Sequence, residues 1–214
     1  MTALAYGGRL AKLMVGLVLF GTGLWLGLVA DLGVGPWDVL TGGISGRLGT
    51  PFGRTAIAIS VVVLLIGFAC RVRPGVGTLL NVVVIGAVVD ILLALDWLSA
   101  VGAGPLAARL AATVGGIVAV AVGSALYLGA QLGPGPRDGL MVALHQRTGW
   151  RVGTCRALLE GTVLLIGAAL GGPVGVGTLA FALGIGPAVQ VAFRVLRQTP
   201  VRQGVSPRPV GVPA

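Results

Sequence analysis

The sequence predicts an all-α fold, a polytopic bundle of transmembrane helices assembled from two tandem copies of one unit. Three observations predict it. Hydrophobic residues make up 56% of the 214, charged residues only 10%, and mean hydropathy is +1.00, against roughly 25% charged residues in ordinary soluble domains. Long apolar runs, among them Leu13 to Ala30, Ala56 to Cys70 and Leu79 to Leu95, have the length that a bilayer core demands. Finally, Leu32-Gly33-Val34-Gly35-Pro36-Trp37-Asp38-Val39-Leu40 is written a second time as Leu132-Gly133-Pro134-Gly135-Pro136-Arg137-Asp138-Gly139-Leu140. The offset of one hundred holds without a gap from Arg9/Arg109 to Val89/Val189. Roughly a third of the pairs are identical, the mark of an internal repeat.

The elements follow in order. Residues 1–8 read as a short cytoplasmic lead, and the first span runs from about Leu10 to Ala30. With Arg9 and Lys12 before it, this run has the form of a signal peptide. Its counterpart from Arg109 to Ala130 lies mid-chain, however, so the first run is expected to stay as a helix. A glycine-rich turn then feeds a short helix from Pro36 to about Leu48. Proline suits the first helical position, where its missing N–H costs nothing, and Asp38 lies where a carboxylate offsets the positive helix end. Gly49 to Gly53 breaks this helix, and Arg54 opens a long span ending near Cys70. Arg71 to Gly77 is a tight connection with Thr78 as a helix cap, and another long span runs to about Leu95. Repeat 1 thus covers residues 9–98, a linker 99–108, and repeat 2 residues 109–197, each with three long hydrophobic helices and one short one after the GxGPxD turn. Residues 198–214 are basic and rich in Pro and Gly, a composition expected to be disordered.

A 13-residue helix is about 20 Å long, against a core of about 30 Å. If it crosses, each half has four spans and the halves run parallel; if not, each has three and the second half is inverted. Both threadings put about twelve basic residues on one face and place the N-terminus inside. Inverted halves should carry opposite charge at equivalent loops, yet Arg47 matches Arg147. That match favours parallel halves and eight crossings, with both termini cytoplasmic.

The net charge of +9 suggests nucleic acid. The arginines flank apolar runs and form no stripe, so nucleic acid is excluded and the lipid bilayer is the expected partner. Cys70 and Cys155 are not repeat-equivalent and imply no disulfide framework. No Ser-His-Asp or Cys-His pattern, HExxH, P-loop or CxxC pair occurs, so neither an enzyme nor a cofactor is expected.

Candidate site residues come from the repeated motif and from polar groups inside spans. Gly33, Gly35 and Asp38, with Gly133, Gly135 and Asp138, place two helix starts where they can line a solute site between repeats. The structural alternative is a pair of glycine turns with the aspartates as caps. A carboxylate partly cancels the positive helix end, which favours a cation or neutral polar solute over an anion. Asp90 and Gln190 are equivalent positions in the last span of each half, and Glu160 lies in the second span of repeat 2. Intramembrane ionisable groups usually face a cavity or a partner; for Glu160 the simple partner is Arg156, one turn earlier. Asn81 reads as a helix–helix hydrogen bond, and His145 as a solvated residue.

Asp31-Leu-Gly-Val-Gly-Pro-Trp-Asp38, Arg73-Pro-Gly-Val-Gly-Thr78 and Ile85-Gly86 with Asp90 resemble the YczE branch of the YczE/YyaS/YitT bacterial membrane proteins. In the second half Gly153-Thr-Cys-Arg156, Glu160-Gly161 and Gly171-Gly-Pro-Val-Gly-Val-Gly-Thr178 do likewise. The resemblance implies a multi-pass bacterial inner-membrane protein and supplies no catalytic residues. The copies differ where Trp37 becomes Arg137 and Asn81 becomes Phe181, so the two half-sites are chemically unequal. The expected function is a small-solute or ion permease with its site at the repeat interface. The alternative is a non-transporting scaffold that recruits a protein partner or a second copy.

Overall fold

The computed structural model describes residues 3–72 and 74–198, and its helices begin and end where the glycines, prolines and apolar runs direct. They are α1 (Ala3–Ala30), α2 (Pro36–Leu48), α3 (Phe52–Ala69), α4 (Val76–Leu95), a 3₁₀ turn (Ser99–Val101), α5 (Leu106–Gly129), α6 (Pro136–Thr148), α7 (Val152–Ala169) and α8 (Val176–Val195). Among the described residues five helices, α1, α3, α4, α5 and α8, are long and apolar enough to cross a membrane. The chain is an all-helical membrane protein. The expected lead at 1–8 is largely helix, since α1 starts at Ala3. The expected tail lies outside the described residues beyond Gln198, as does Arg73 of the α3–α4 connection.

Glycine decides how the bundle packs. A Cβ on Gly16 would lie 2.8 Å from the Gly123 carbonyl oxygen, and one on Gly23 2.7 Å from that of Gly116. α1 and α5 therefore touch backbone to backbone, the close approach by which membrane helices gain dispersion contact without a hydrophobic driving force. Large apolar side chains such as Val15, Leu65, Phe68, Leu165 and Leu183 point outward instead. Inside, Leu24, Val89, Val120 and Ile185 make the main apolar cluster.

The register of this contact fixes direction. Gly16 opposes Gly123 while Gly23 opposes Gly116, so α1 and α5 are antiparallel. At one end Arg9 donates to the Ala130 carbonyl (2.7 Å); at the other Arg109 donates to the Ala30 carbonyl (2.9 Å). The expected parallel arrangement with eight crossings is thereby corrected. Both ends of α2 lie against one segment, the α7–α8 connection: Val34 N–H bonds the Pro173 carbonyl (3.3 Å), and Arg47 bonds the Leu170 and Ala169 carbonyls (both 3.1 Å). A helix tethered twice to the same turn does not cross. The match of Arg47 with Arg147 misled because Arg47 serves the carbonyl end of α7, a helix terminus that favours a cation wherever it lies.

Gly116→Val puts a branched side chain into the α1 backbone and should destabilise by about 1–3 kcal/mol. Gly161→Ala, which faces open space, should leave stability unchanged. Thermal unfolding in detergent micelles checks both, and equal midpoints would contradict the packing described.

Candidate functional site

The starts of α2 and α6 converge inside the bundle. Pro36 and Pro136 hold the first helical positions behind the extended N-caps Gly35 and Gly135. One step earlier, Gly33 and Gly133 have φ of 96° and 127°, backbone that glycine adopts without strain. Space excludes a side chain there as well. A Cβ on Gly33 would lie 2.6 Å from Thr178 Oγ1, and one on Gly133 2.8 Å from Thr78 Oγ1. The Gly77 N–H donates to the Leu132 carbonyl (2.7 Å) and the Gly177 N–H to the Leu32 carbonyl (2.6 Å). Thr78 accepts the Gly75 N–H (3.1 Å) and donates to the Pro134 carbonyl (2.7 Å). Each glycine turn is thus fastened to the N-terminus of a long helix from the other end of the sequence, α8 for Gly33 and α4 for Gly133.

Between the two starts lies a cavity of about 200 Å³. Its polar wall includes Asp38, Arg137, Asp138, Tyr127, Asn81, Ser124, Arg156 and Glu160; its apolar wall includes Trp37, Phe20, Phe52 and Phe181. Asp38 is only 3% exposed. Its Oδ1 accepts no hydrogen bond among the described residues and faces Arg137 Nη2 at 3.7 Å. The Arg137 guanidinium lies 5.0 Å from the centre of the Trp37 ring, within cation–π range. Asp138 is served differently, because the Tyr127 hydroxyl donates to its Oδ2 at 3.1 Å. Arg156 donates to Glu160 at 2.8 Å, the pair expected from their spacing.

Of the residues expected from sequence, Gly35, Asp38, Gly135, Asp138 and Glu160 line this cavity. Gly33 and Gly133 do not; they are where the turns press on α8 and α4. The N-caps themselves are Gly35 and Gly135, and Asp38 and Asp138 lie in the first turns of their helices. Asp90 and Gln190 are absent from the wall. Asp90 instead accepts the N–H groups of Gly53 (2.6 Å) and Arg54 (3.0 Å), two donors that the first turn of α3 leaves without helical acceptors. Gln190 is exposed. Among the described residues no group of three His, Cys, Asp or Glu could hold a metal ion.

Tyr127 was not foreseen. Its counterpart is Gly27, so matching the two copies drew attention away from it; a tyrosine inside an apolar run was the available signal. Asn81 lies near the same place, its amide nitrogen 3.6 Å from a Cβ built on Gly135. Phe181, its counterpart, presses on Gly35 instead.

Comparison with known proteins places the chain in a family without giving it an activity. The model of a family of unknown function (DUF6198) matches residues 8–194. The chain belongs to that family. It is similar to an uncharacterized protein of Haemophilus influenzae, 37% identical over 88% of this chain and 84% of the relative. The uncharacterized membrane protein YczE of Bacillus subtilis is 34% identical over 78% and 77%. The uncharacterized protein YyaS of the same organism is 25% identical over 77% and 82%. No solved structure matches.

Asp90→Ala removes the cap of α3 and should cost about 1–2 kcal/mol, whereas Gln190→Ala should change stability by less than about 0.5 kcal/mol. Unfolding midpoints in micelles compare them; equal losses would contradict the asymmetry. Tyr127→Phe keeps the ring but deprives Asp138 of its donor, and is expected to cost about 1.5–3 kcal/mol in the same assay.

Proposed function

We propose that the protein is a small-solute permease of the bacterial inner membrane, built from two inverted repeats at 9–98 and 109–197 with the solute route through the central cavity. The observation that carries this reading is the difference between two matching helix pairs. α3 and α4 are closed on one another: Gly86 has no room for a Cβ, which would lie 2.6 Å from the Gly53 carbonyl oxygen, and Asp90 holds the start of α3. In α7 and α8 the matching Gly153 and Gly186 have nothing within 4 Å, and Gln190 is exposed.

Repeats of opposite orientation, held in two different conformations, present a shared site to one side of the membrane; exchanging the conformations presents it to the other. The open pair parts at the start of α7 and the C-terminal half of α8. That end of the bundle carries both termini, since Lys12 of α1 bonds Gln198 beyond α8. Arg9, Lys12, Arg71, Arg194 and Arg197 cluster there, against Arg47, Arg54 and Arg109 at the other end. The positive-inside bias makes it the cytoplasmic face. In this reading the conformer described is open to the cytoplasm.

A transport cycle requires α7 to close on α8 as α3 closes on α4. Thr154→Cys with Gln190→Cys, in a Cys70→Ala, Cys155→Ala background, tests this in native membranes. A short bifunctional thiol reagent should bridge the pair in a fraction of molecules. If no bridge forms under any lipid or ionic condition, α7 does not close and the permease reading fails.

A further inference from the structure

The two aspartates of the cavity are not equivalent, and their difference identifies what the cavity takes. Asp138 has a fixed neutral donor in Tyr127. Asp38 has none: its Oδ1 accepts no hydrogen bond among the described residues although the side chain is nearly wholly buried. Leaving a buried carboxylate oxygen without a donor is costly. The nearest positive group, Arg137 Nη2 at 3.7 Å, lies beyond hydrogen-bond distance, and the arginine side chain keeps 31% of its exposure. Arg137 is thus near its counter-ion yet not bonded to it.

We infer that Asp38 and the Trp37 ring form the seat of a small organic cation, an ammonium or guanidinium head group, and that Arg137 is a tethered occupant which yields to it. This names the solute class of the permease reading and rests on that reading. Three features agree on the charge and type of ligand. Asp38, Asp138 and Glu160 set three carboxylates on the wall against the two guanidinium groups of Arg137 and Arg156, so with all five ionised the wall carries one surplus negative charge. Arg137 already places a guanidinium over Trp37, an arrangement by which aromatic faces hold organic cations. The volume of about 200 Å³ far exceeds the ~10–15 Å³ that one water requires. A bare metal ion fits poorly: hard cations require about six or more oxygen ligands, and the seat pairs one carboxylate with an indole.

Entry of the ligand proceeds by exchange. The cationic head donates to Asp38 Oδ1 and covers the Trp37 face, while Arg137 swings toward the open side of the cavity, where its exposure shows room. No proton or bond changes hands. The exchange leaves the carboxylate with a positive neighbour throughout, so its burial never exposes an uncompensated charge to the apolar wall.

The test is equilibrium binding to the full-length protein in micelles, with methylguanidinium chloride and tetramethylammonium chloride as probes and sodium chloride at equal ionic strength as control. The readout is the thermal unfolding midpoint against probe concentration. Wild-type protein should show a saturable rise with at least one organic probe and none with sodium. Arg137→Gln, which removes the tethered competitor, should reach half-saturation at about tenfold lower concentration, the scale on which a tethered group competes. Asp38→Asn should abolish the rise, and Trp37→Leu, which keeps both charges, should weaken it several-fold. No saturable rise in either wild type or Arg137→Gln, or an undiminished rise in Asp38→Asn, overturns the proposal. The result separates from the gating test: a bridge between positions 154 and 190 without probe binding keeps the permease and removes the organic cation. Probe binding without that bridge keeps the seat and removes the gate.

Discussion

The antiparallel contact between α1 and α5 is the constraint on which the rest of the structure depends. Gly16, Gly23, Gly116 and Gly123 remove the side chains that would hold the two backbones apart, and the gain is dispersion contact that lipid cannot match at that distance. Arg9 and Arg109 then close the two ends by donating to the last carbonyls of the opposite helix. Those carbonyls have no acceptor role within their own helix, and a cation at a helix C-terminus is favoured by its dipole. Small residues set the distance, and arginines set the register.

Once α1 and α5 are antiparallel, the turns that follow them lie at opposite ends of the bundle and feed α2 and α6 inward. Gly33 and Gly133 let each turn press on the start of a distant long helix, so the cavity is walled by segments far apart in sequence. Short helices that begin within a membrane bundle are tolerated because other backbone and side chains meet their polar groups. Here Thr78, with the N–H groups of Gly77 and Gly177, does so at the turns.

Similar backbones then carry unlike chemistry. Trp37 opposes Arg137, Phe181 replaces Asn81 and Gly27 replaces Tyr127. One carboxylate accepts a hydrogen bond from a phenol; the other only faces a stacked arginine at 3.7 Å. The same divergence reaches the helix pairs: an aspartate at 90 fastens α3 to α4, while the glutamine at 190 stands apart from α7.

The helices themselves were legible in the chain, because apolar runs, the prolines at 36 and 136 and the glycines at 49 and 149 act locally. So were Asp38 and Asp138 as candidates, written twice in one turn, and Glu160 as a charge inside an apolar run; all three line the cavity. The Arg156–Glu160 pair followed from helical spacing alone. Direction was not legible: whether α1 meets α5 parallel or antiparallel depends on which glycines oppose which, and both choices use the same residues. Nor was the role of Asp90, a span-embedded carboxylate whose partners are the backbone N–H groups of another helix. Tyr127 escaped for the same reason, because its hydroxyl meets Asp138 only after α5 and α6 are folded against each other. Local rules determine where this chain is helical and which of its polar groups are costly to bury. Only the tertiary contacts, backbone against backbone, decide which of those groups meet.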